Sequence, residues 1–573
     1  MTTAGTGTES TRRRSRTLSA SERDHGGSGR RLENPLPWFR WAAIPFALVY
    51  LILMAHQLHL AITSTNLDAD AASGPVISQL FGAAPAHARV VLGEFGWYGT
   101  LLFDLGTKWL PAHRQVWDAA PYAMALAGAV VTAYAVGQVA GRWAAAVSAV
   151  VLICASPATV HLLLSTTQHA PVWFCLALMG AWLVLIERRA TSLRWPALCS
   201  LVLVVGTIVG VNAGSDALVT VSAVVPFAAG LAAAALLAPG RQRKRALWAG
   251  VATLVTVGIT WAITAAVMSA LSVAPQPGLH PTRVVLGSKT GTNFALWWKS
   301  IAVLGNGDFF HRSLTPGTAL LFVCGVISIA AVVSLPWLGW RGIRRRALAG
   351  DSPGAGATDS LAPARTAFYS FWCSSAILLT FAFLLSAAPI DIGADRYLVG
   401  LLYGAAAVVP AAAAGHVRSE AVVVLATCVF ALGGIVSLAN GTTSHGRSFH
   451  PPPIGTVEAQ RIAQIAAQHH LTVGYAGYWE AAPVTWATAF RVQVYPVSVC
   501  NVGANLCRFD LHFISSWYDP RPHTRSFLLV DDRTSQSISR PTPDLGRPVA
   551  VYRLGAVTMY TYDYDLAAKM KIT

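Results

Sequence analysis

Two aspartates separated by one residue, Asp68 and Asp70, follow the first long apolar segment of the chain. In an extended segment, side chains two positions apart point the same way, so both carboxylates could face one hydroxyl or hold one divalent cation. A carboxylate beside a hydroxyl can act as a general base. The alternative is helix capping, because residues 71–82 are typical of a short interfacial helix and aspartate is favoured at a helix N-terminus. Both interpretations stay open at this point.

A third carboxylate, Glu94, lies further along the same polar stretch, beside an aromatic run that includes Trp97. Glu94 is either another acidic group of the same site or a solvated loop residue. The neighbouring aromatics favour the site, and acidic groups at the edge of a membrane bundle are usually functional. We therefore take Asp68, Asp70 and Glu94 as candidate catalytic residues.

Cationic side chains with aromatic neighbours occur in two later polar segments. Arg396 and Tyr397 open a late apolar segment, and an arginine there can hold a phosphate by a bidentate contact. The alternative is interfacial anchoring, which is common for arginine and tyrosine at the ends of membrane spans. Three further cations are candidates for the same phosphate: Arg283, Lys289 and Lys299.

Composition defines the elements that must position these residues. Hydrophobic residues make up 54% of the chain and charged residues 12%, with a mean hydropathy of +0.50. A soluble protein would carry about 25% charged residues, so the chain is an integral membrane protein. The net charge of +16 comes from short basic runs between apolar segments, which fits membrane topology. No nucleic-acid partner is expected.

The apolar segments predict about eleven membrane-spanning helices. They lie near 38–62, 118–140, 144–164, 171–187, 196–214, 217–238, 246–270, 316–338, 367–388, 397–415 and 420–439. Residues 1–37 are predicted to be a disordered, basic cytoplasmic tail. The predicted cytoplasmic connections all carry arginines, whereas the short outer connections STTQHAP and VNAGSD carry no lysine or arginine. The positive-inside rule therefore puts the N-terminus in the cytoplasm and the C-terminus outside. The transmembrane unit is thus residues 38–439 of a multi-pass plasma-membrane protein.

Two long outer loops and a terminal domain complete the organisation. The first loop, 63–117, carries the candidate acids, and the second, 271–315, contains an amphipathic segment suited to the membrane interface. Residues 440–573 change to the composition of a soluble α/β domain, with helices near 455–469 and 480–490 and several strands. Cys500 and Cys507 in that domain could form a disulfide, which is plausible only outside the cytoplasm.

This arrangement resembles the GT-C class of membrane glycosyltransferases. The resemblance depends on a basic cytoplasmic start, acids soon after the first span, the segment WYGTLLFDLGTKWL, the sequence DRYL opening a late span, and a C-terminal outer domain. It is closest to the protein-mannosyltransferase-like and cell-wall arabinosyl- or mannosyltransferase branches. The WWDYG motif of oligosaccharyltransferases is absent, which argues against that branch.

The resemblance implies a sugar donor carried on a polyprenyl phosphate and a glycan, lipid or protein acceptor in the cell envelope. Transfer would be inverting, with Asp68 or Asp70 as general base and cations such as Arg396 and Lys289 stabilising the departing phosphate. No cofactor motif is identified beyond the two aspartates that could hold a divalent cation. Two other functions compete: a transporter or flippase for an envelope lipid, and a non-catalytic scaffold whose outer domain binds glycan. The nearly charge-free span interiors favour the enzyme over the transporter.

Overall fold

The computed structural model describes residues 37–64, 69–92, 106–110, 113–156, 169–237, 243–275, 284–310, 312–347, 361–389, 392–439, 454–500, 505–531 and 538–570. It is mostly helical. The helices of the first part are α1 Ile44–Ser64, α2 Ala69–Phe81, α3 His113–Ala140, α4 Arg142–Ile153, α5 Ala170–Arg189, α6 Trp195–Ser215, α7 Ala217–Leu237 and α8 Lys244–Ala270. Those of the second part are α9 Ser288–Leu304, α10 Pro316–Ala347, α11 Ala362–Leu385, α12 Val399–Ala413, α13 Val417–Ala439, α14 Thr456–Gln468 and α15 Tyr478–Ala487.

Ten of the described helices are long and apolar enough to cross a membrane by length and composition. They agree closely with ten of the predicted spans, so the polytopic helical fold is confirmed. A bundle of apolar helices exposes large apolar side chains where lipid would surround it, and Ile52 and Leu236 are 70% and 79% exposed. The predicted third span differs, because within the described residues its helix, α4, has 12 residues. At 1.5 Å per residue α4 is about 18 Å long, well short of a bilayer core of about 30 Å.

Ion pairs and hydrogen bonds bring the arginine-bearing helix ends together at one end of the bundle. Arg243 pairs with Glu187 at 2.8 Å, and Arg188 donates to the Gln138 carbonyl at 2.8 Å. We call this the arginine end. The opposite end carries α2, the strands of the loops and the C-terminal domain, and we call it the domain end.

Helix α4 ends inside the bundle, where it meets the end of α9. The amide of Asn306, two residues after the end of α9, donates to the carbonyls of Cys154 at 2.8 Å and Phe430 at 3.0 Å. The Tyr50 hydroxyl donates to the Ala155 carbonyl at 2.6 Å. Polar side chains therefore satisfy backbone carbonyls that water cannot reach at this depth.

Helix α9 corresponds to the amphipathic segment of the second outer loop, and its place at the membrane interface stays a prediction. One face of α9 packs into the bundle, with Asn293 and Trp297 buried. The Asn293 amide donates to the carbonyls of Leu384 at 3.0 Å and Ser386 at 2.9 Å, at the end of α11. A helix terminus leaves such carbonyls without intrahelical partners, so the asparagine fixes α9 against α11.

The C-terminal domain contains a six-stranded sheet with the order β5-β4-β3-β7-β9-β8. Its strands are β3 Val473–Ala476, β4 Gln493–Val499, β5 Leu506–Arg508, β7 Ser526–Asp531, β8 Ala550–Leu554 and β9 Val557–Tyr562. Strands β4, β3 and β7 are parallel, and the other pairs are antiparallel. Phe527 and Leu529 of β7 face the core beneath α14, whereas Leu528 and Val530 face a second core. This strand is buried on both faces, as its continuous apolar sequence predicts.

The first outer loop completes that second core. Ala72, Val76 and Ile77 of α2 pack into it, and α2 lies against α15. A small sheet joins both outer loops to the domain, with β1 Val90–Leu92 between β2 Val273–Pro275 and β6 Phe513–Ile514. The C-terminal domain and the described parts of the two outer loops therefore form one packed unit.

Candidate active site at the domain end

Three chain segments that are distant in sequence meet at the domain end of the bundle. His169 begins α5, Asp216 lies between α6 and α7, and Tyr397 lies in the 3-10 helix Ile392–Leu398. His169 Nδ1 is 2.5 Å from Asp216 Oδ2. The imidazole meets the Tyr397 ring edge to face, with 5.2 Å between centroids. A carboxylate, an imidazole and a phenol thus form one contact chain.

Local backbone geometry fixes the carboxylate and the imidazole. Asp216 is extended and caps α7, since its Oδ1 accepts a hydrogen bond from the Leu218 N–H at 2.8 Å. Capping by aspartate is the usual way to satisfy the first N–H groups of a helix. His169 has φ 58° and ψ 6°, the left-handed region that few residues other than glycine adopt.

Arg396 and Tyr397 form a cation–aromatic couple in the same 3-10 helix. The Arg396 guanidinium lies 5.2 Å from the centroid of the Tyr397 ring, and its Nη2 is 3.4 Å from the Tyr397 hydroxyl. Both side chains are half-buried, whereas Asp395 is buried. The ring gives the guanidinium a preferred place, since such couples are worth about 0.5–2 kcal/mol.

Lys289 lies in the first turn of α9, the helix that packs against this 3-10 helix. Its ammonium donates to the Pro389 carbonyl, and the Val285 N–H donates to the Leu385 carbonyl at 2.8 Å. Lys299 lies ten residues further along α9, a distance of about 15 Å along the helix axis. Its ammonium lies 5.9 Å from the Trp298 ring centroid. The structure therefore places Lys289 and the Arg396–Tyr397 couple on two elements that pack against each other, and Lys299 further along α9.

The other predicted site residues lie wholly or partly outside the part of the chain that the structure describes. Asp68, Glu94, Trp97 and Arg283 lie outside the described residues. Asp70 lies in the first turn of α2, and its side chain also lies outside what is described. The predicted short helix after the aspartates is present as α2, which begins at Ala69. Their roles as catalytic or capping residues stay predictions.

An apolar cavity lies inside the bundle beside the 3-10 helix. Its volume is about 80 Å³, and it is bounded by α4, α9, α10, α12 and α13. Leu398, which follows Tyr397 directly, is one of its lining residues, as are Leu401, Ile301 and Val151. The Arg396–Tyr397 couple therefore directly precedes a residue of the cavity lining.

Cys500 and Cys507 are joined by a disulfide in the C-terminal domain. The bond links the end of β4 to β5, where Ser498 pairs with Cys507. No group of three or more histidine, cysteine or acidic side chains suited to a metal occurs in the described part of the chain. The two-aspartate cation site involves Asp68, which lies outside that part, and stays a prediction.

Neither Asp216 nor His169 was predicted from the sequence to be a site residue. A signal was present for Asp216, because it is the acidic residue of the short connection VNAGSD between two apolar helices. Carboxylates in such places are rare and usually functional. Nothing in the sequence indicated that the connection after α6 would meet the start of α5.

No protein-family model and no curated protein matches the chain. Among solved structures, it is similar to the oligosaccharyltransferase of Archaeoglobus fulgidus, with a TM-score of 0.47 and 10% identity. That match covers 80% of this chain, which spans 64% of the length of the oligosaccharyltransferase.

The chain is also similar to ArnT from Cupriavidus metallidurans, in the apo state and bound to undecaprenyl phosphate. The TM-scores are 0.39 and 0.41, and the identities are 12% and 13%. Each match covers 91% of this chain and 98% of ArnT. Both proteins are GT-C glycosyltransferases, the class that the sequence resembles.

Proposed function

We propose that the chain is a membrane glycosyltransferase that moves a sugar from a polyprenyl-phosphate donor to a glycan, lipid or protein of the cell envelope. The observation that carries this proposal is the Arg396–Tyr397 couple at the domain end, which stands directly before Leu398 in the lining of the apolar cavity, with Lys289 on the helix that packs against the same 3-10 helix. A polyprenyl phosphate has an anionic head and an apolar chain. A site for it therefore needs cations and an apolar space that adjoin each other at the end of a bundle.

Arg396 and Lys289 would hold the phosphate. Arginine presents several N–H groups in a planar fork that matches phosphate oxygens, and lysine adds a point charge. As the bond between the sugar and the phosphate breaks, negative charge grows on the departing phosphate. Fixed cations at that place stabilise the transition state more than the ground state.

The acidic residues of the first outer loop would supply the base. Asp68 or Asp70, or Glu94, would take the proton of the acceptor hydroxyl as its oxygen attacks the anomeric carbon and the lipid phosphate leaves. A single displacement of this kind inverts the anomeric configuration. Support comes from α2, the helix whose first turn contains Asp70 and which packs against α15. A divalent cation held by Asp68 and Asp70 is a second role for the same pair.

We also propose that the domain end lies outside the cytoplasm, with the N-terminus inside. The arginine clustering at the opposite end is what the positive-inside rule expects. The disulfide between Cys500 and Cys507 agrees with an oxidising compartment.

Transfer from defined donors tests the proposal. The purified full chain in lipid nanodiscs would be given polyprenyl-phosphate sugars and an envelope acceptor fraction, with release of polyprenyl phosphate measured with and without EDTA. Asp68→Asn, Asp70→Asn and Glu94→Gln are compared with Asp519→Asn, an exposed carboxylate of the C-terminal domain. Loss of the base should lower kcat by about 10²–10⁴-fold, and the control should be unaffected.

Each outcome discriminates between the competing functions. Full activity in all three variants would refute the assignment of the base to this loop. No release from any donor, together with movement of the lipid across the bilayer, would show a transporter. Binding of glycan without release or movement would show a scaffold.

A further inference from the structure

A buried imidazole–carboxylate pair, His169 and Asp216, contacts the Arg396–Tyr397 couple through the Tyr397 ring. The side chain of His169 is completely buried, and that of Asp216 is 10% exposed. Asp216 uses one oxygen for the helix cap at Leu218 and the other for His169. Because the cap fixes the carboxylate, the carboxylate in turn fixes the orientation of the imidazole. A carboxylate partner on one ring nitrogen sets the orientation of a histidine in this way.

The imidazole then limits where Tyr397 can lie. Edge-to-face contacts between rings stabilise by about 0.5–1.5 kcal/mol beyond the area they bury. The His169 and Tyr397 rings meet in that geometry, at 61° between planes. Tyr397 holds Arg396 through both its ring face and its hydroxyl. Three segments from different parts of the chain thus determine the place of one guanidinium.

The backbone at His169 indicates that the surroundings enforce this position. A left-handed conformation in a residue other than glycine costs about 1–3 kcal/mol and persists where neighbouring contacts over-determine it. Here the contact with Asp216, the ring contact with Tyr397 and the start of α5 all act on one residue.

We propose that His169 and Asp216 are positioning residues that hold Arg396, through Tyr397, where the donor phosphate binds. The inference rests on the proposed function, and it deepens that function by assigning two residues to phosphate recognition that do not themselves contact the phosphate. In this arrangement, loss of the imidazole weakens phosphate binding only because Arg396 loses its place.

Binding of decaprenyl phosphate to the full chain in nanodiscs, followed by native mass spectrometry, tests this coupling. Arg396→Ala should weaken binding about 30-fold, in the range of a charged hydrogen bond. His169→Asn should weaken it about 10-fold. Asparagine tolerates the left-handed backbone and can donate to Asp216, but it lacks the ring that contacts Tyr397. The double variant should remain within about twofold of Arg396→Ala alone.

Independent action of the two residues would instead give a product of about 300-fold in the double variant, and that result would overturn the inference. Unchanged binding in His169→Asn would overturn it as well. Asp216→Asn, which retains a capping side chain, should weaken binding in the same non-additive manner; an additive effect would count against the pair. His469→Asn is the matched control, because His469 pairs with Tyr552 on the exposed C-terminal domain.

A wild-type chain that binds no polyprenyl phosphate would refute both the proposed function and this inference. If the wild type binds polyprenyl phosphate and the effects of the substitutions on binding are additive, only the inference is refuted and the proposed function stands. Where the wild type transfers sugar, His169→Asn should raise the KM for the donor and leave that for the acceptor unchanged. A general loss of folding would change the KM values for both the donor and the acceptor.

Discussion

Replacing Asn306 by alanine tests how α4 and α9 are held together inside the bundle. Asn306 is 1% exposed, and its amide donates to Cys154 and Phe430 at 2.8 and 3.0 Å. Its φ is 64°, in the left-handed region. Alanine removes both hydrogen bonds, and it lacks the local polar group that makes this region accessible to asparagine.

The expected loss of stability follows from these two terms. Side-chain hydrogen bonds in membrane bundles contribute about 0.6 kcal/mol each on average and at most about 1.7 kcal/mol. The left-handed backbone adds about 1 kcal/mol for alanine. Asn306→Ala should therefore destabilise the bundle by about 2–4 kcal/mol. Asn306→Gly, which loses the bonds without the backbone strain, should cost about 1 kcal/mol less.

Thermal unfolding followed with a thiol-reactive coumarin measures this directly, because Cys154 and Cys324 are buried close to the junction. The midpoint should fall by about 2–4 °C for Asn306→Ala. Asn212→Ala is the control, since the Asn212 amide donates to Ile208 within its own helix. Equal shifts for the Asn306 and Asn212 variants would refute the idea that Asn306 joins the two helices.

Three further predictions concern the C-terminal domain. The buried carboxylate of Asp565 accepts from the Tyr475 hydroxyl at 2.7 Å, so Asp565→Ala should destabilise the domain by about 3 kcal/mol in fluorescence melts, and exposed Asp563→Ala should not. Removing the Cys500–Cys507 disulfide, which closes a short loop, should cost about 2.5 kcal/mol, and equal midpoints with and without reductant would contradict this. Burial raises the pKa of three tyrosines of this domain: Tyr475, Tyr495 and Tyr518. The stability that these buried tyrosines contribute is complete below the unfolded tyrosine pKa of about 10 and is lost as the pH rises toward the folded pKa values. Melts at pH 8 and 11 should therefore show a fall in the stability of the domain, by up to about 1.4 kcal/mol for each tyrosine and each pH unit above about 10.

The spans were predictable because apolarity over about 20 residues is a local signal. The predicted spans 171–187 and 196–214 correspond to Ala170–Arg189 and Trp195–Ser215. The strands of the C-terminal domain were predictable for a similar reason, as with Ser526–Asp531 from the run SFLLVDD. In both cases the pattern of side chains along a short stretch decides the element.

The junction of α4 and α9 was not predictable from such patterns. An apolar segment after Arg142 looks like a span whether or not its helix continues, and α9 looks amphipathic whether it lies on the bundle or in it. Hydrogen bonds from the amides of Asn306 and Asn293 hold the end of α4 and one face of α9 in place. Their acceptors lie about 90 to 150 residues away in sequence. Close backbone contact adds to this, since a Cβ at Gly307 would lie 2.3 Å from the Cα of Gly325.

The sequence by itself determined that this chain is a bundle of membrane helices with a terminal α/β domain, and that Lys289 and Arg396 belong to polar segments on one side. Those properties depend on local composition, which a chain carries regardless of how it packs. Only the tertiary structure decided that His169, Asp216 and Tyr397 touch, and that the first outer loop shares a core with the C-terminal domain. Contacts of that kind join residues from different segments, and their energies exist only once the helices and the sheet have packed.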